Sequence, residues 1–484
     1  MKYSALAFVS TLAAFGAFAT RATAQVKSES DLFGGSEVEE KKPEPEDKSK
    51  VKDKAKPIEK KQEVLDTFAD SELIDKLQIG GRLELRKSSS DVDDQRFQLS
   101  SYTQSKTADI YFDTRPNKHT RAFLRMRFYE DNAATTTTQA QGTTATTTEK
   151  RGVSGIQESI DELWVKWDVD QTLFVTAGKQ HVKWGRGRFW NPTDFTAIEA
   201  KDPFALFDRR LGQELIKLHL PFEKSGHNFY AIAEFDDTQR NDDVGLALRG
   251  EFSIGENGET AISLQSKRGT PLKLGLDFGM GFGNFDVNLE SAFITRDSGP
   301  RYEGDLDIPN LVFPSTHYDN KKVYNQSVAN VEYVWKYNDD DNMTLGVEGF
   351  WNDTGYDKRI LEFYSLIQNR SKVLYSGKQY VAAYLRLGAP GNWNDSNFIL
   401  NAVQNISDQT ALMRLTATYT FYKQVTAEAF VSRCFGEYGE LCFRVPDSIQ
   451  KSASLLPANI QVLLSALPKK TTRTVFGGSL YMNF

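Results

Sequence analysis

Thr472-Arg-Thr-Val-Phe-Gly-Gly-Ser-Leu-Tyr-Met-Asn-Phe484 ends the chain. In this segment Phe476, Leu480, Met482 and Phe484 fall on one alternating register, the period of a β-strand with one apolar face. The same period runs through Arg82-Leu-Glu-Leu-Arg86, where Leu83 and Leu85 oppose Arg82, Glu84 and Arg86. Arg121-Ala-Phe-Leu-Arg-Met-Arg-Phe128 sets Leu124, Met126 and Phe128 against Arg121, Arg125 and Arg127. Asp161 to Asp168 sets Leu163, Val165 and Trp167 against Glu162, Trp164 and Lys166. Strands of soluble proteins average about 5–6 residues, whereas a tilted membrane-spanning strand needs about 9–11. Many of the alternating runs here fit the second length.

Composition agrees with spanning strands. The chain has 484 residues, 39% hydrophobic and 12% aromatic, and a mean hydropathy of -0.49. That is too polar for a bundle of membrane helices. The longest apolar run, Ala5 to Ala19, lies behind Lys2 and ahead of Ala22-Thr23-Ala24. It reads as a secretory signal peptide, residues 1–24, rather than an anchor, since it falls short of the roughly 20 residues a spanning helix needs. A barrel satisfies its backbone groups between strands and requires no long apolar run. The expectation is an all-β fold: a closed antiparallel transmembrane β-barrel over residues 79–484.

Ahead of the barrel, residues 25–62 are mostly Lys, Glu, Asp and Pro, as in Lys41-Lys-Pro-Glu-Pro-Glu-Asp-Lys-Ser-Lys50. Such a composition cannot bury enough apolar surface to fold, which predicts a disordered periplasmic tail. Residues 63–78, with Phe68, Leu73, Ile74 and Leu77, predict a short amphipathic helix at the barrel mouth. Strands are expected at 79–89, 95–114, 120–130, 157–169, 171–184, 211–221, 226–237, 243–254, 259–267, 271–282, 285–297, 325–338, 342–353, 378–388, 396–405, 408–421, 424–433 and 471–484. That makes about 18, or 16 if 259–267 and 396–405 fail. With the first strand entering from the periplasm, the long connections 131–156, 185–210, 298–324, 354–377 and 434–470 all fall on the outer side, as in outer-membrane barrels. The Thr-rich loop 134–148 is low in complexity and carries no evident task. Cys434 and Cys442 flank a short loop in an exported chain, which favours a disulfide.

An 18-stranded barrel leaves an aqueous lumen unless something fills it. Function then rests on inward residues and on any loop that enters. The inward-facing candidates on the strands are Arg82, Arg86, Arg121, Arg125, Arg127, Lys166 and Lys217. Ladders of Arg and Lys favour anions. The competing reading is that these groups pair with Glu84, Glu162 and other lumen carboxylates and only fill polar space. The loop 185–210 is the candidate constriction, dense in Arg, Asp, Trp and Pro: Gly185-Arg-Gly-Arg-Phe-Trp-Asn-Pro-Thr-Asp-Phe195, then Lys201-Asp-Pro-Phe204 and Asp208-Arg-Arg-Leu-Gly212. Aromatic residues near strand ends, such as Trp164, Trp167, Tyr333, Trp335, Tyr337, Trp351 and Tyr419, suit interfacial girdles.

Gly178-Lys-Gln-His-Val-Lys-Trp-Gly185, with Asn191-Pro-Thr-Asp194 and Arg209-Arg-Leu-Gly212, resembles a pattern of large outer-membrane channel families of Gram-negative cells. These are the alginate-export-like and related uncharacterised porin-type barrels. The resemblance implies that Lys179, Arg186, Arg188, Asp194, Arg209 and Arg210 border the lumen or its eyelet. The final strand, closing on Phe484, resembles the signal read by the barrel-assembly machinery. Gly-x-Ser-x-Gly and His-Glu-x-x-His are both missing, and the five histidines form no evident catalytic pattern, so no enzyme and no cofactor are expected. The expected partners are outer-membrane lipid and small hydrophilic solutes, not nucleic acid; the oligomeric state stays open. Three functions follow: a porin-like channel for small, possibly anionic solutes, an exporter of a charged polysaccharide, or a plugged barrel with a structural or surface-binding role.

Overall fold

A computed structural model describes residues 77–92, 99–131, 135–141, 144–150 and 156–484, except 237–242, 297–298, 309, 311, 320–321, 338–340, 369, 456–460, 462–463 and 466. The chain is a closed antiparallel barrel of 18 strands. The first quarter is β1 (Leu77–Val92), β2 (Leu99–Asn117), β3 (Thr120–Asp131), β4 (Gln157–Val169) and β5 (Leu173–Gln180). Then come β6 (Gln213–Phe222), β7 (His227–Glu234), β8 (Gly245–Ile254), β9 (Gly258–Ser266), β10 (Lys273–Phe282) and β11 (Phe285–Ile294). The last are β12 (Tyr324–Lys336), β13 (Asn342–Asn352), β14 (Gln379–Gly388), β15 (Ser396–Asn405), β16 (Thr410–Phe421), β17 (Val425–Phe435) and β18 (Thr472–Asn483). Each strand pairs with its sequence neighbours, and β1 pairs with β18 to close the wall, Leu85 opposite Leu480. Phe484 completes the seam by exchanging two backbone hydrogen bonds with Gly81, at 2.9 and 3.0 Å.

The barrel is inside-out relative to a soluble protein. Leu83, Leu85, Leu163, Ile216, Leu276, Leu289, Val347, Leu415 and Leu480 are exposed on the outer face. Glu84, Asp109, Asp161, Asp277, Glu290, Asn330, Glu348 and Glu428 are buried on the inner one. This pattern suits a hydrocarbon surround, where closure leaves no unpaired strand edge. Trp167, Trp335, Tyr337, Trp351 and Tyr419 stand exposed near strand ends, as a girdle requires. Tyr333 keeps to the outer face, against Phe285. Trp164 does not join them: it pairs with Phe123 on the inner wall, and the rings stack at 5.4 Å.

The two weakest sequence expectations are full members of the wall, β9 between β8 and β10, and β15 between β14 and β16, so the 16-strand alternative is excluded. The signal peptide, the tail and the expected helix up to residue 76 lie outside the described residues. Leu77 and Gln78, assigned to that helix, begin β1 instead. The expected strand 171–184 stops at Gln180, and its last four residues join the following loop. The Thr-rich segment forms an antiparallel hairpin, Thr135–Gln141 with Thr144–Lys150. Thr is a β-branched strand former, and low complexity concealed that propensity.

One end of the barrel has only short turns, such as 118–119, 170–172 and 283–284, while every long connection rises from the other end. There α1 (Arg359–Ile367) and α2 (Asp447–Lys451) form inside two of the loops. Phe363 of α1 and Ile449 of α2 pack with Ile308, Val445 and Leu464 into a small apolar cap. Neither helix shows a long periodic signal, because each is held by residues distant in sequence. The Cys434–Cys442 disulfide is present and closes the base of the loop that carries α2. Replacing both cysteines by Ser should leave the barrel ladder intact, with gel mobility still heat-dependent. Loop 435–445 should lose about 2–3 kcal/mol of local stability, the loop-closure entropy of so short a ring. Proteolysis of that loop at unchanged rate in the double variant would contradict this.

Candidate functional site

The connection between β5 and β6, residues 181–212, turns into the barrel and crosses it. Its backbone N–H groups at five consecutive residues donate to two carboxylates of the far wall. Arg186 and Gly187 donate to Glu290 of β11. Arg188, Phe189 and Trp190 donate to Glu348 of β13, at 2.7, 2.9 and 2.9 Å. Gly185 makes this approach possible: its φ is +85°, and a Cβ there would lie 2.7 Å from the Glu290 carboxylate. A run of N–H groups curled round an anion is a strong anion-binding site, and here the anion belongs to the wall.

The rest of the motif fastens the turn. Asn191 donates from Nδ2 to Gly187 O at 2.8 Å, and Thr193 from Oγ1 to Asp277 of β10 at 2.7 Å. Asp194 accepts from Trp184 N at 3.2 Å and pairs with Arg210 at 3.3 Å. Phe189 and Trp190 fill a buried apolar pocket on the inner wall with Val328, Phe350, Tyr380 and Tyr384. Trp190 Nε1 donates to Leu374 O at 2.9 Å. Trp184 and Phe195 pack on Leu215, Ile232 and Ala292 in a second such cluster. The returning arm reaches the near wall: Arg209 binds both oxygens of Glu84 at 2.8 Å, and Phe207 lies under the Arg82 guanidinium and against Tyr481.

The loop thus covers the inner wall from about β7 to β14 and leaves the side of β1 to β4 facing the lumen. There the sequence-predicted arginines gather. Arg121 clasps Asp113 at 2.9 and 2.6 Å, Arg82 binds Asp109 at 2.7 Å, and Arg127 bridges Asp109 and Asp161 at 2.8 and 3.0 Å. Arg125 pairs with Glu162 at 3.0 Å, and Arg86 lies 3.8 Å from Glu84. Lys166 and Lys217 share this inner register, Lys166 with its ammonium 4.4 Å from the Phe174 ring. Lys179 does not: it pairs with Leu163 and Glu214, both on the outer face, so Lys179 points away from the lumen. Strand alternation decides this, because Thr176 and Gln180 take the inward positions.

At Arg121, Arg125 and Arg209 the acid is recessed and the guanidinium is presented, whereas Arg127 is buried beside its two acids and Arg82 is mostly covered. Side-chain exposure is 37% for Arg121 against 9% for Asp113, and 35% for Arg125 against 1% for Asp161. It is 40% for Arg209 against 3% for Glu84. The two readings of the basic ladder are therefore compatible: the arginines are paired, yet the surface they offer is cationic. On the loop, Arg186–Glu259 and Arg210–Asp208 run the other way, with the acid more exposed. Asp161, Glu162 and His181 bring three donor atoms within 4.8 Å. Arg127, Arg125, His181 and Trp164 already engage those carboxylates, so the trio suits ion pairing rather than a metal.

Sequence reasoning missed Glu290, Glu348 and Asp277, the acids that hold the loop. It named inward acids only on the early strands, although Asn288-Leu-Glu290 and Val347-Glu-Gly349 carry a readable inward acid. It also missed a knot of acids beneath the cap. Asn405 Nδ2 donates to Glu362 of α1 at 2.7 Å and to Glu440 at 3.0 Å, and Glu440 N donates to Asp408. Burial, then Asp408 and Glu440, push the Glu362 carboxyl up to about 9.

The chain is a transmembrane β-barrel with a loop folded across its lumen. It belongs to the family described as "Protein of unknown function (DUF1302)", whose model matches residues 1–305. No curated protein matches it. Among solved structures it is similar to OccAB4 of Acinetobacter baumannii, at 7% identity and TM-score 0.47 over 84% of this chain and 98% of that one. It is also similar to OprB of Pseudomonas putida, at 9% and 0.45 over 87% and 96%. For OpdK of Pseudomonas aeruginosa, solved with vanillate, the values are 8% and 0.47 over 85% and 100%.

Two outcomes are expected. Glu290→Ala with Glu348→Ala orphans five loop N–H groups, each costing about 1–3 kcal/mol when left unpaired in a buried site. Loop 185–210 should become protease-sensitive while the barrel stays folded; wild-type resistance would refute this anchoring. Separately, Glu362 binds its proton more tightly folded than unfolded, so its stabilisation of the cap is full below about pH 4. It is lost as pH rises through about 9. Hydrogen exchange across 359–367 should quicken between pH 6 and 10 beyond the intrinsic rate, and Glu362→Gln should abolish that excess.

Proposed function

We propose that this protein is a porin-like channel of a Gram-negative outer membrane, passing small hydrophilic anions down their gradients. The observation that carries the reading is the set of part-exposed guanidiniums, Arg121 and Arg125 on β3 and Arg209 on the returning arm of the loop, with carboxylates recessed behind them. A solute passing this wall meets N–H donors, which replace part of an anion's hydration shell. Exposure of 35–40% on Arg121, Arg125 and Arg209 also speaks for a water-filled path. A fully plugged barrel would bury them. The loop 181–212 is the eyelet, rigid through its wall bonds, and Arg209 and Arg210 border it. In this reading the long loops face outward, the short turns and N-terminal tail face the periplasm behind a cleaved signal peptide, and the strand ending at Phe484 addresses the assembly machinery. Catalysis and cofactors play no part.

The test is conductance in planar bilayers under a salt gradient. Wild type should give discrete steps with a reversal potential of the anion-selective sign. Deleting Asn191 to Asp208 should enlarge the steps. Neutralising Arg121, Arg125 and Arg209 together by Gln should move the reversal potential toward zero or the cationic side. Cation preference in wild type would overturn the anion reading, and silence from a correctly folded barrel would favour a plugged, surface-binding one.

A further inference from the structure

The arginines of β1 to β3 have acidic partners, and so does Arg186. Arg188 does not. Among the described residues no carboxylate lies within ion-pair distance of its guanidinium, and its buried Nε lacks a hydrogen-bond partner. The guanidinium instead rests 4.0 Å above the ring of Tyr384. That platform is built into the wall, since Tyr384 lies flat across Gly346, where a Cβ would come within 2.1 Å of the ring. A guanidinium stacked on a ring keeps its in-plane N–H fork directed past the ring edge.

Two lysines of the same loop converge there. Lys201 donates from Nζ to Arg188 O at 3.1 Å, which uses one of its three donors. Lys183 and Arg188 both stand close enough to repel its charge. The acids that face Lys201 are otherwise engaged: Glu348 by three backbone N–H groups, and Asp208 by Arg210. Glu332 lies across Gly346 from Tyr384 and stands close to the Tyr384 hydroxyl.

We propose that Arg188 and Lys201 form a binding site on the eyelet loop for a small oxyanion, the carboxylate or phosphate group of a passing solute. The site rests on the channel reading and gives it a specific stopping point. The Arg188 fork takes two oxygens and Lys201 the third, so one bound anion relieves the mutual repulsion of the cations. Arg121 and Arg127 lack this capacity, because carboxylates already engage both sides of their guanidinium. Burial, together with Lys183 and Arg188, lowers Lys201 to about 8, against the opposing pull of Asp208 and Glu348. Affinity should therefore fall as pH rises past that value.

Inorganic phosphate is the probe, titrated by calorimetry into the detergent-solubilised full chain at fixed ionic strength, beside conductance in phosphate over a wide concentration range. Wild type should bind one phosphate per chain saturably, and its conductance should reach a plateau. Arg188→Gln and Lys201→Met should each raise Kd about tenfold or more, as expected for loss of a charge-assisted hydrogen bond, and remove the plateau. Both variants are checked for heat-dependent gel mobility, so misfolding is not scored as lost binding. The fall in affinity between pH 7 and 9 should vanish in Lys201→Met. A folded wild type without saturable binding overturns the site, as do variants that bind equally well. Binding that is lost in the variants, from a protein that never conducts, upholds the site and overturns the channel.

Discussion

Two carboxylates on the far wall, Glu290 and Glu348, hold five consecutive backbone N–H groups of the loop that leaves β5. Without them the loop would carry a row of unpaired donors into the barrel, and nothing would fix its path. With them it becomes part of the wall. Phe189 and Trp190 then reach their pocket, Asp194 and Arg210 close the return, and Arg209 meets Glu84 on the opposite side. The lumen is divided by this one set of bonds into a filled half and a lined half.

That division gives the arginines their exposure. A barrel of this girth has room for water along its whole inner face. The loop covers the apolar half, where Leu215, Ile232, Val328, Phe350 and Tyr380 would otherwise meet solvent. On β3, away from these apolar contacts, Arg121 and Arg125 reach further into the lumen than the Asp side chains beside them. Side-chain length alone sets the order: Asp113 and Asp161 end near the backbone, whereas Arg121 and Arg125 extend past them into the lumen.

Most of the barrel was legible in the sequence, because each spanning strand writes its own period of two. Even the weak strands 259–267 and 396–405 are real. The site was legible in part. Inward Arg82, Arg86, Arg121, Arg125, Arg127, Lys166 and Lys217 follow from alternation, and Gly, Pro and charge density single out the loop 185–210, whose inward path the sequence left open. Lys179 was misread because a motif was allowed to override the register that Thr176 and Gln180 obey. Glu290 and Glu348 escaped notice for a different reason. Their partners are backbone groups more than 90 residues earlier in sequence, and backbone N–H groups leave no trace in residue identity. The cap helices are likewise fixed by contacts between loops, which no local period reports.

The pairing of each wall arginine with a recessed acid has a consequence for range. An isolated charge is felt across a Debye length, about 8 Å at physiological ionic strength. A guanidinium with a carboxylate close behind it is a dipole, whose field fades much faster with distance. The inner wall is therefore nearly silent toward ions at the mouth and speaks only to those that touch it. Such a surface acts on an ion by contact and draws no crowd of counter-ions from the bulk.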